Sequence, residues 1–85
     1  MERLTTEDII QKLCTTVGAT INKEPKDIDV DTNILEFGLD SLRAVSLIGE
    51  IEHLLNIELA VTALWDYPTI RLLAEYIVNA QQQKV

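Results

Sequence analysis

The stretch "EFGLDSLRAVSLIGEIEHLL", residues 36–55, passes from a glycine corner into a long run with helical periodicity. At about 100° per residue, six apolar side chains gather on one side of this run, and we expect that side to face a hydrophobic core. They are Ala44, Leu47, Ile48, Ile51, Leu54 and Leu55. The helix is predicted to begin at Asp40 or Ser41 and to end near Leu55, where Asn56 provides a stop signal.

The opposite side of this helix combines aliphatic, small and polar residues. Its members are Leu42, Val45, Ser46, Gly49 and His53, with Glu50 and Glu52 at the flanks. A small apolar patch rimmed by acids is typical of a surface that docks a partner, although exposed aliphatic residues are also common without a function. Gly49 costs about 1 kcal/mol relative to alanine and leaves this face flat, and a tolerated imperfection is the alternative interpretation.

Helical periodicity also marks both ends of the chain. Thr5 and Asp8 have the spacing of a capping box for a first helix that ends near Asn22, with apolar positions at Ile9, Ile10, Leu13, Val17 and Ile21. A short helical turn is predicted over residues 61–65 and is closed by Tyr67 and Pro68. A last helix is predicted from Thr69, with a buried stripe of Ile70, Leu73, Ala74 and Ile77.

A long polar segment separates the first two helices and carries no sustained period. It is predicted to be a loop held to the core by Ile28, Val30, Ile34, Leu35 and Phe37, and its length suggests that it crosses the bundle. The sequence therefore predicts an all-α domain, a small four-helix bundle with three longer helices, one short helix and a long loop between helices one and two. Residues 5–79 are expected to form its structured core and residues 80–85 a polar tail.

Composition limits the class of protein. The chain has 85 residues, 47% of them hydrophobic, which suffices for one domain with one core. Fourteen acids against seven bases give a net charge of -7, so nucleic acids and anionic membranes are poor partners and basic protein surfaces are good ones. No apolar run reaches the length of a membrane span and the N-terminus carries acids, so we expect a cytoplasmic protein.

Cys14 and the acidic loop are two further candidates for chemistry. A single cysteine excludes an internal disulfide and a cysteine-based zinc site, and its apolar neighbours at helical spacing indicate a core position. Residues 27–38, "DIDVDTNILEFG", imitate a calcium loop at its first, third and fifth positions. Thr32 stands where that loop requires glycine and Gly38 where it requires a bidentate glutamate, so no metal site is predicted.

Ser41 has no partner in the sequence that would make it a nucleophile by itself. His53, the only histidine, lies twelve residues further along the same helix, which is roughly 18 Å at a rise of 1.5 Å per residue. A serine-lysine pair would need a cleft for which so small a domain has little room, and the G-x-S-x-G elbow is missing. Ser41 is therefore either a helix cap or a residue on which another protein acts.

The order of motifs resembles the acyl carrier protein family, whose signature is Asp-Ser-Leu at the start of the second helix. The resemblance rests on "DTNILEFGLDSL", residues 31–42, the helix that follows it, and "LWDYPTIRLLAEYI", residues 64–77, and it covers nearly the whole chain. It implies that Ser41, between Asp40 and Leu42, carries a covalent 4'-phosphopantetheine arm. A phosphopantetheinyl transferase with magnesium would move this arm from coenzyme A, so Ser41 needs exposure and not activation. A phosphodiester there would also lie near helix N–H groups.

The resemblance further implies a protein without catalytic activity of its own. Such a carrier tethers acyl or polyketide intermediates as thioesters and delivers them to a ketosynthase, an acyltransferase or acyl-loading ligase, and other biosynthetic enzymes; a monomer is expected. The Trp-Asp-Tyr-Pro-Thr turn is similar to carrier domains of modular polyketide synthases, and Leu39 replaces the second glycine that is typical of peptidyl carriers. The alternatives are a peptidyl carrier, an acidic helical interaction module with Ser41 as a cap, and an enzyme that uses Ser41 directly.

Individual positions are carried over from the family in the same way. Leu42 and Val45 match the apolar part of the family's docking helix, and Leu47 and Ile51 match interior positions where acyl chains lodge in some members. The predicted docking residues are Leu42 and Val45 with Ser46, Gly49, Glu50 and Glu52 of the same exposed surface. Arg43 and Ser46 stand where bacterial fatty-acid carriers often have acids, so a dedicated set of partners is expected. Trp65 and Tyr67 are predicted to close the core at the proline turn.

Overall fold

The computed structural model describes residues 5–83. Along these residues lie four α-helices: α1 (Thr6–Ile21), α2 (Ser41–Leu55), α3 (Ala63–Asp66) and α4 (Ile70–Gln83). Two 3₁₀ turns, Pro25–Asp27 and Ile34–Phe37, interrupt the long segment between α1 and α2. This part of the chain has no β-strand, only an isolated bridge between Asn33 and Thr69. The predicted all-α fold of three longer helices and one short helix is confirmed.

The helix ends follow from local hydrogen bonding. The Thr5 hydroxyl accepts from the Asp8 N–H at 3.1 Å, and the Asp8 carboxylate accepts from the Thr5 N–H at 3.2 Å. Asn22 ends α1 and Asn56 ends α2, both in the left-handed conformation with φ of 63° and 54°. Asparagine is one of the few residues besides glycine that tolerate this conformation. The predicted capping box and both predicted stops are confirmed.

The core is formed by one face of each helix and by four apolar side chains from the segments between the helices, Ile28, Ile34, Leu39 and Leu59. The largest side chains that are fully buried are Ile9, Leu13, Val17, Ile34, Leu47, Ile48, Ile51, Leu64, Ile70, Leu73 and Ile77. Cys14 is buried in the same cluster, and burial raises the pKa of its thiol, as expected for a residue that fills space. No helix within residues 5–83 is long and apolar enough to span a membrane.

The long loop crosses the bundle and is tied to the start of α4. The Ile34 N–H donates to the Pro68 carbonyl at 2.7 Å, and the Arg71 N–H donates to the Val30 carbonyl at 3.1 Å. The Arg71 side chain also pairs with Asp31 at 2.7 Å, and its hydrogen bond lowers the pKa of that carboxyl. Because both side chains of this pair are exposed, the backbone hydrogen bonds contribute most to holding the loop.

Two residues predicted to lie in the core are exposed instead. Leu54 is 46% exposed because it lies at the edge of the apolar arc of α2, where it faces the gap between α2 and α1. Trp65 is 47% exposed because the single turn of α3 buries Ala63 and Leu64 and directs the next side chain outward. Tyr67 is half-buried and stacks on Tyr76 with ring centroids 4.3 Å apart, which closes the core at the proline turn.

Three helix boundaries differ from those predicted. The short helix is Ala63–Asp66, two residues later than the predicted start. Thr69 is the cap of α4 and not its first residue, since its hydroxyl accepts from the Leu72 N–H at 3.1 Å. The last helix continues to Gln83, into the segment predicted as a polar tail, because no glycine or proline interrupts it there.

Candidate functional site

The corner before α2 is built by a sharp turn between two buried anchors. Gly38 has φ of 91°, a conformation that side-chain-bearing residues rarely adopt, and it lies between buried Ile34 and buried Leu39. The Asn33 side chain accepts from the Leu35 N–H at 2.8 Å and stabilises the 3₁₀ turn that leads into the corner. The corner thereby holds the beginning of α2 at a defined place on the surface.

Asp40, and not Ser41, is the N-cap of α2. Its backbone is extended, its Oδ1 accepts from the Arg43 N–H at 2.8 Å, and its carbonyl accepts from the Ala44 N–H at 2.9 Å. Ser41 is the first residue of the helix and its side chain is exposed. The interpretation of Ser41 as a structural cap is therefore wrong, because Asp40 already satisfies the N–H group that a cap would take.

The capping role of Asp40 gives a direct prediction. Asp40→Ala is expected to lower the free energy of unfolding by about 1 kcal/mol, within the range of 0.5–2 kcal/mol typical for a lost N-cap. Asp40→Asn should retain nearly all of the parental free energy of unfolding, because an amide oxygen accepts the same hydrogen bond. Urea denaturation of the three proteins measures the difference. An equal loss in both variants would show that the negative charge at the helix N-terminus, and not the hydrogen bond, stabilises α2.

The start of α2 at Ser41 offers a place for an anion, and His53 lies far from it along the helix. The first N–H groups of a helix have no intrahelical acceptor and carry the positive end of its dipole. His53 is near the other end of the continuous helix α2, roughly 18 Å away along its axis. Within residues 5–83, no group of three or more acidic, histidine or cysteine side chains is placed to hold a metal ion. An exposed serine at such a helix start fits a covalently attached phosphodiester.

The predicted docking residues of α2 differ in their surroundings. Leu42 is 77% exposed and Val45 is 44% exposed, and both are close to Ser41 in sequence. Ser46, Gly49 and Glu50 line a groove between α1 and α2. All five residues are exposed.

The two predicted acids are engaged in contacts within the domain. The Glu52 carboxylate accepts from the Leu59 N–H at 2.8 Å and so ties the end of α2 to the segment before α3. The Thr20 hydroxyl of α1 lies 3.5 Å from the Glu50 carboxylate. Glu52 therefore has a structural role that the sequence pattern did not indicate, because its partner is a backbone N–H seven residues further on.

Two exposed apolar residues near α3 were not predicted. Val61 is 57% exposed and Trp65 is 47% exposed, and they lie just before and within the helix that packs against α2. The sequence offered little signal for them, because a helix of one turn shows no period. They add to the exposed apolar residues of the domain, together with Leu42 and Val45.

Comparison with known proteins agrees with this geometry. A family model described as the phosphopantetheine attachment site matches residues 11–77, which include the whole of α2. The chain belongs to the phosphopantetheine carrier family. Ser41 and its exposed helix start lie within the matched segment.

Solved structures of carriers superpose closely on this carrier domain. One is a free-standing peptidyl carrier protein from Acinetobacter baumannii, with 42% sequence identity, a TM-score of 0.83, and coverage of 91% of this chain and 96% of that one. Another is the HMG-ACPI domain from the CurA module of Lyngbya majuscula, with 29% identity, a TM-score of 0.83, and coverage of 94% and 81%. Both the acyl and the peptidyl branch of the family thus share this fold.

The curated relatives include a phenolphthiocerol/phthiocerol polyketide synthase of Mycobacterium tuberculosis, which is 34% identical over 72 residues. The match covers 85% of this chain but only 4% of that protein. This carrier domain tethers biosynthetic intermediates on a covalent 4'-phosphopantetheine, and the family to which it belongs is not itself catalytic. The match therefore does not assign the activities of these much longer proteins to this chain.

Proposed function

We propose that Ser41 is the attachment residue and that the domain carries acyl intermediates of a polyketide-type pathway. The observation that carries the proposal is the division of roles at the start of α2. Asp40 caps the helix, which leaves the exposed Ser41 hydroxyl without a structural task at the positive end of the helix. Its reaction requires a phosphopantetheinyl transferase, since nothing near Ser41 in the described residues activates it.

The chemistry assigned to Ser41 is one phosphoryl transfer. The Ser41 oxygen forms a new bond to the phosphorus of coenzyme A that bears the pantetheine, the bond to the nucleotide phosphate breaks, and the hydroxyl proton passes to a base of the transferase. The transferase also supplies the magnesium. The carrier contributes an exposed hydroxyl, a corner that holds it, and helix N–H groups that favour the phosphodiester formed.

Intact mass spectrometry tests the proposed function. The purified protein is incubated with coenzyme A, magnesium and a broad-specificity transferase, and then with an acylating enzyme. We expect one phosphopantetheine per chain, located by fragmentation to a peptide that contains Ser41, and then one acyl group on its thiol. A folded protein that gains no mass while a known carrier is modified in the same tube would refute the proposal.

The partners proposed are the transferase and enzymes such as a ketosynthase, an acyltransferase or an acyl-loading ligase. They are proposed to dock on exposed apolar residues, namely Leu42 and Val45, which follow Ser41 in α2, and Val61 and Trp65 near α3. Basic partner surfaces are favoured, because the chain has a net charge of -7. The proposal includes a cytoplasmic location, where coenzyme A and such enzymes act, and a monomeric state.

Leu42→Asp is expected to lower kcat/KM of the transferase at least about tenfold, since docking beside the reacting serine would bury an unpaired carboxylate in place of an exposed apolar side chain. The melting temperature should stay within a few degrees of the parent, because the position is exposed. Leu72→Asp on α4 introduces the same charge at another exposed leucine and serves as the control. Equal rates for the two variants would contradict docking at Leu42.

A peptidyl carrier is the second candidate, and the 42% identity to a free-standing peptidyl carrier protein favours it. Leu39 in the approach to Ser41 and the polyketide synthase relatives favour the acyl branch. Competition between a malonyl-loaded acyltransferase and an aminoacyl-adenylating enzyme for the pantetheine-bearing protein separates the two. Preferential aminoacylation would assign the domain to the peptidyl branch.

A further inference from the structure

Glu52 holds the turn that follows α2 in two ways. Its backbone carbonyl accepts from the N–H groups of Asn56 and Ile57, the second at 3.1 Å, and so ends the helix. Its carboxylate reaches further along the chain and accepts from the Leu59 N–H at 2.8 Å. The carbonyl contacts belong to the ordinary end of a helix, whereas the carboxylate contact depends on this side chain. One residue therefore fixes the path of residues 56–59.

The carboxylate contact lies where water is a poor substitute for it. The hydrogen bond is partly buried, and Leu59 itself is only 8% exposed. A backbone N–H group that loses its acceptor in such a place costs free energy. Thr62, at the start of α3, makes no capping hydrogen bond with its side chain. Glu52 thus fastens the approach to α3, while the stack of Tyr67 on Tyr76 holds the other end of that helix.

Glu52 also lies on the same edge of α2 as Ser41. Ser41, Val45 and Glu52 are separated by four and then seven residues, which at 100° per residue places them within about 40° of one another around the helix. The approach to α3 is therefore fastened to the Ser41 side of α2. Along the helix axis Glu52 is roughly 16.5 Å beyond Ser41. An ordinary protein interface, with about 800 Å² on each partner, is wide enough to include both positions.

From these contacts we infer that Glu52 is a positioning residue for the docking of partner enzymes. Through its hydrogen bond to the Leu59 N–H, it holds exposed Val61 and exposed Trp65 in the orientation that a partner bound at Ser41 meets. The inference rests on the proposed attachment at Ser41 and on the proposed docking at these two apolar residues. The Glu52 carboxylate is used inside the domain and does not contact basic side chains of the partner.

This role depends on the oxygen of the Glu52 side chain and not on its charge. The amide oxygen of a glutamine accepts a hydrogen bond from the same N–H group. A contact with a basic partner surface, by contrast, would need the negative charge. Glu52→Gln and Glu52→Ala therefore separate the two roles, because the first keeps an acceptor without the charge and the second keeps neither.

Amide hydrogen exchange, measured by NMR, tests the contact. In Glu52→Ala the Leu59 N–H is expected to exchange about tenfold faster or more, because it has lost its acceptor. Ile57 is an internal control, because its N–H is bound to the Glu52 backbone carbonyl, which every variant retains. The Trp65 N–H, bound to the Thr62 carbonyl at 2.9 Å, should exchange faster together with that of Leu59. In Glu52→Gln all these amides should exchange as in the parent protein.

Transfer of the arm tests the consequence for docking. Glu52→Ala is expected to raise the KM of the transferase about threefold or more with kcat unchanged, since fewer molecules hold α3 in place while the chemistry at Ser41 is untouched. Glu58→Gln is the control for charge, because it removes one acid from an exposed position of the segment after α2. Glu52→Gln should raise KM no more than Glu58→Gln does.

Three results would overturn the positioning role and leave attachment at Ser41 intact. They are a KM for Glu52→Gln as high as that for Glu52→Ala, a Leu59 amide in Glu52→Ala that exchanges as in the parent, and a released α3 with an unchanged KM. A parent protein that accepts no arm would refute the proposed function and the docking role with it, whatever the exchange rates. If Glu52→Ala proves unstable, Glu52→Gln against Glu58→Gln decides, because only a contact through charge would make the first KM exceed the second.

Discussion

Replacing Ser41 by alanine is expected to abolish attachment of the phosphopantetheine arm completely while the domain stays folded. The arm is lost because the variant lacks the oxygen that forms the phosphoester bond. Stability should change by less than about 0.5 kcal/mol, because Ser41 is exposed and Asp40 supplies the hydrogen bond that caps α2. Intact mass after treatment with coenzyme A, magnesium and the transferase measures the first effect, and urea denaturation measures the second.

Thr62→Ala is the matched control for this variant. Thr62 is also an exposed hydroxyl-bearing residue at the start of a helix, and its side chain makes no capping hydrogen bond to α3. The Thr62→Ala protein should accept the arm at Ser41 at the same rate as the parent protein. Modification of the Ser41→Ala protein would place the attachment site elsewhere in the chain. A folded parent protein that accepts the arm, beside a Ser41→Ala protein that does not, would establish the site at residue level.

The second large effect is expected from the core of α2. Ile51→Ala should lower the free energy of unfolding by about 2–5 kcal/mol, because Ile51 is fully buried and its truncation leaves a cavity. Leu54→Ala should cost less than about 1 kcal/mol, because nearly half of that side chain is already in water. Each substitution removes three carbon atoms, so the difference between the two losses of stability reports how deeply each side chain is buried.

Urea denaturation of the two variants and the parent provides the comparison. In a domain of this size each 1 kcal/mol corresponds to about 4–8 °C in melting temperature, so thermal unfolding should separate the variants clearly. Equal losses would mean that Leu54 packs in the core, as the periodicity of α2 predicts, and not at the edge of the groove between α1 and α2. A small loss for Ile51→Ala would contradict the core described here.

The proposed division of roles at the start of α2 would allow a chemically ordinary serine to be a site of modification. Asp40 caps the helix and leaves the exposed Ser41 hydroxyl without a capping task. In this proposal the reactivity resides in the transferase, and the carrier supplies position and exposure.

Most of the fold follows from features that are local in the sequence. The capping box at Thr5 and Asp8, the stops at Asn22 and Asn56 and the apolar periods of α1 and α2 depend on residues within one or two turns of each other, so they can be recognised without the tertiary structure. Ser41 is recognisable in the same way, from a motif of consecutive residues and its resemblance to carriers. The family comparison supports that resemblance.

Only the tertiary structure decided what lies at the borders between elements. Periodicity assigns Leu54 to the apolar arc of α2, but whether the edge of an arc is covered depends on the position of α1. Trp65 is exposed because α3 has a single turn, which is too short for a period to reveal its buried side. The link from Glu52 to Leu59 and the groove between α1 and α2 depend on how separate segments are placed in space. Local pattern determines which helices form, whereas their relative placement determines which of their edges are left exposed.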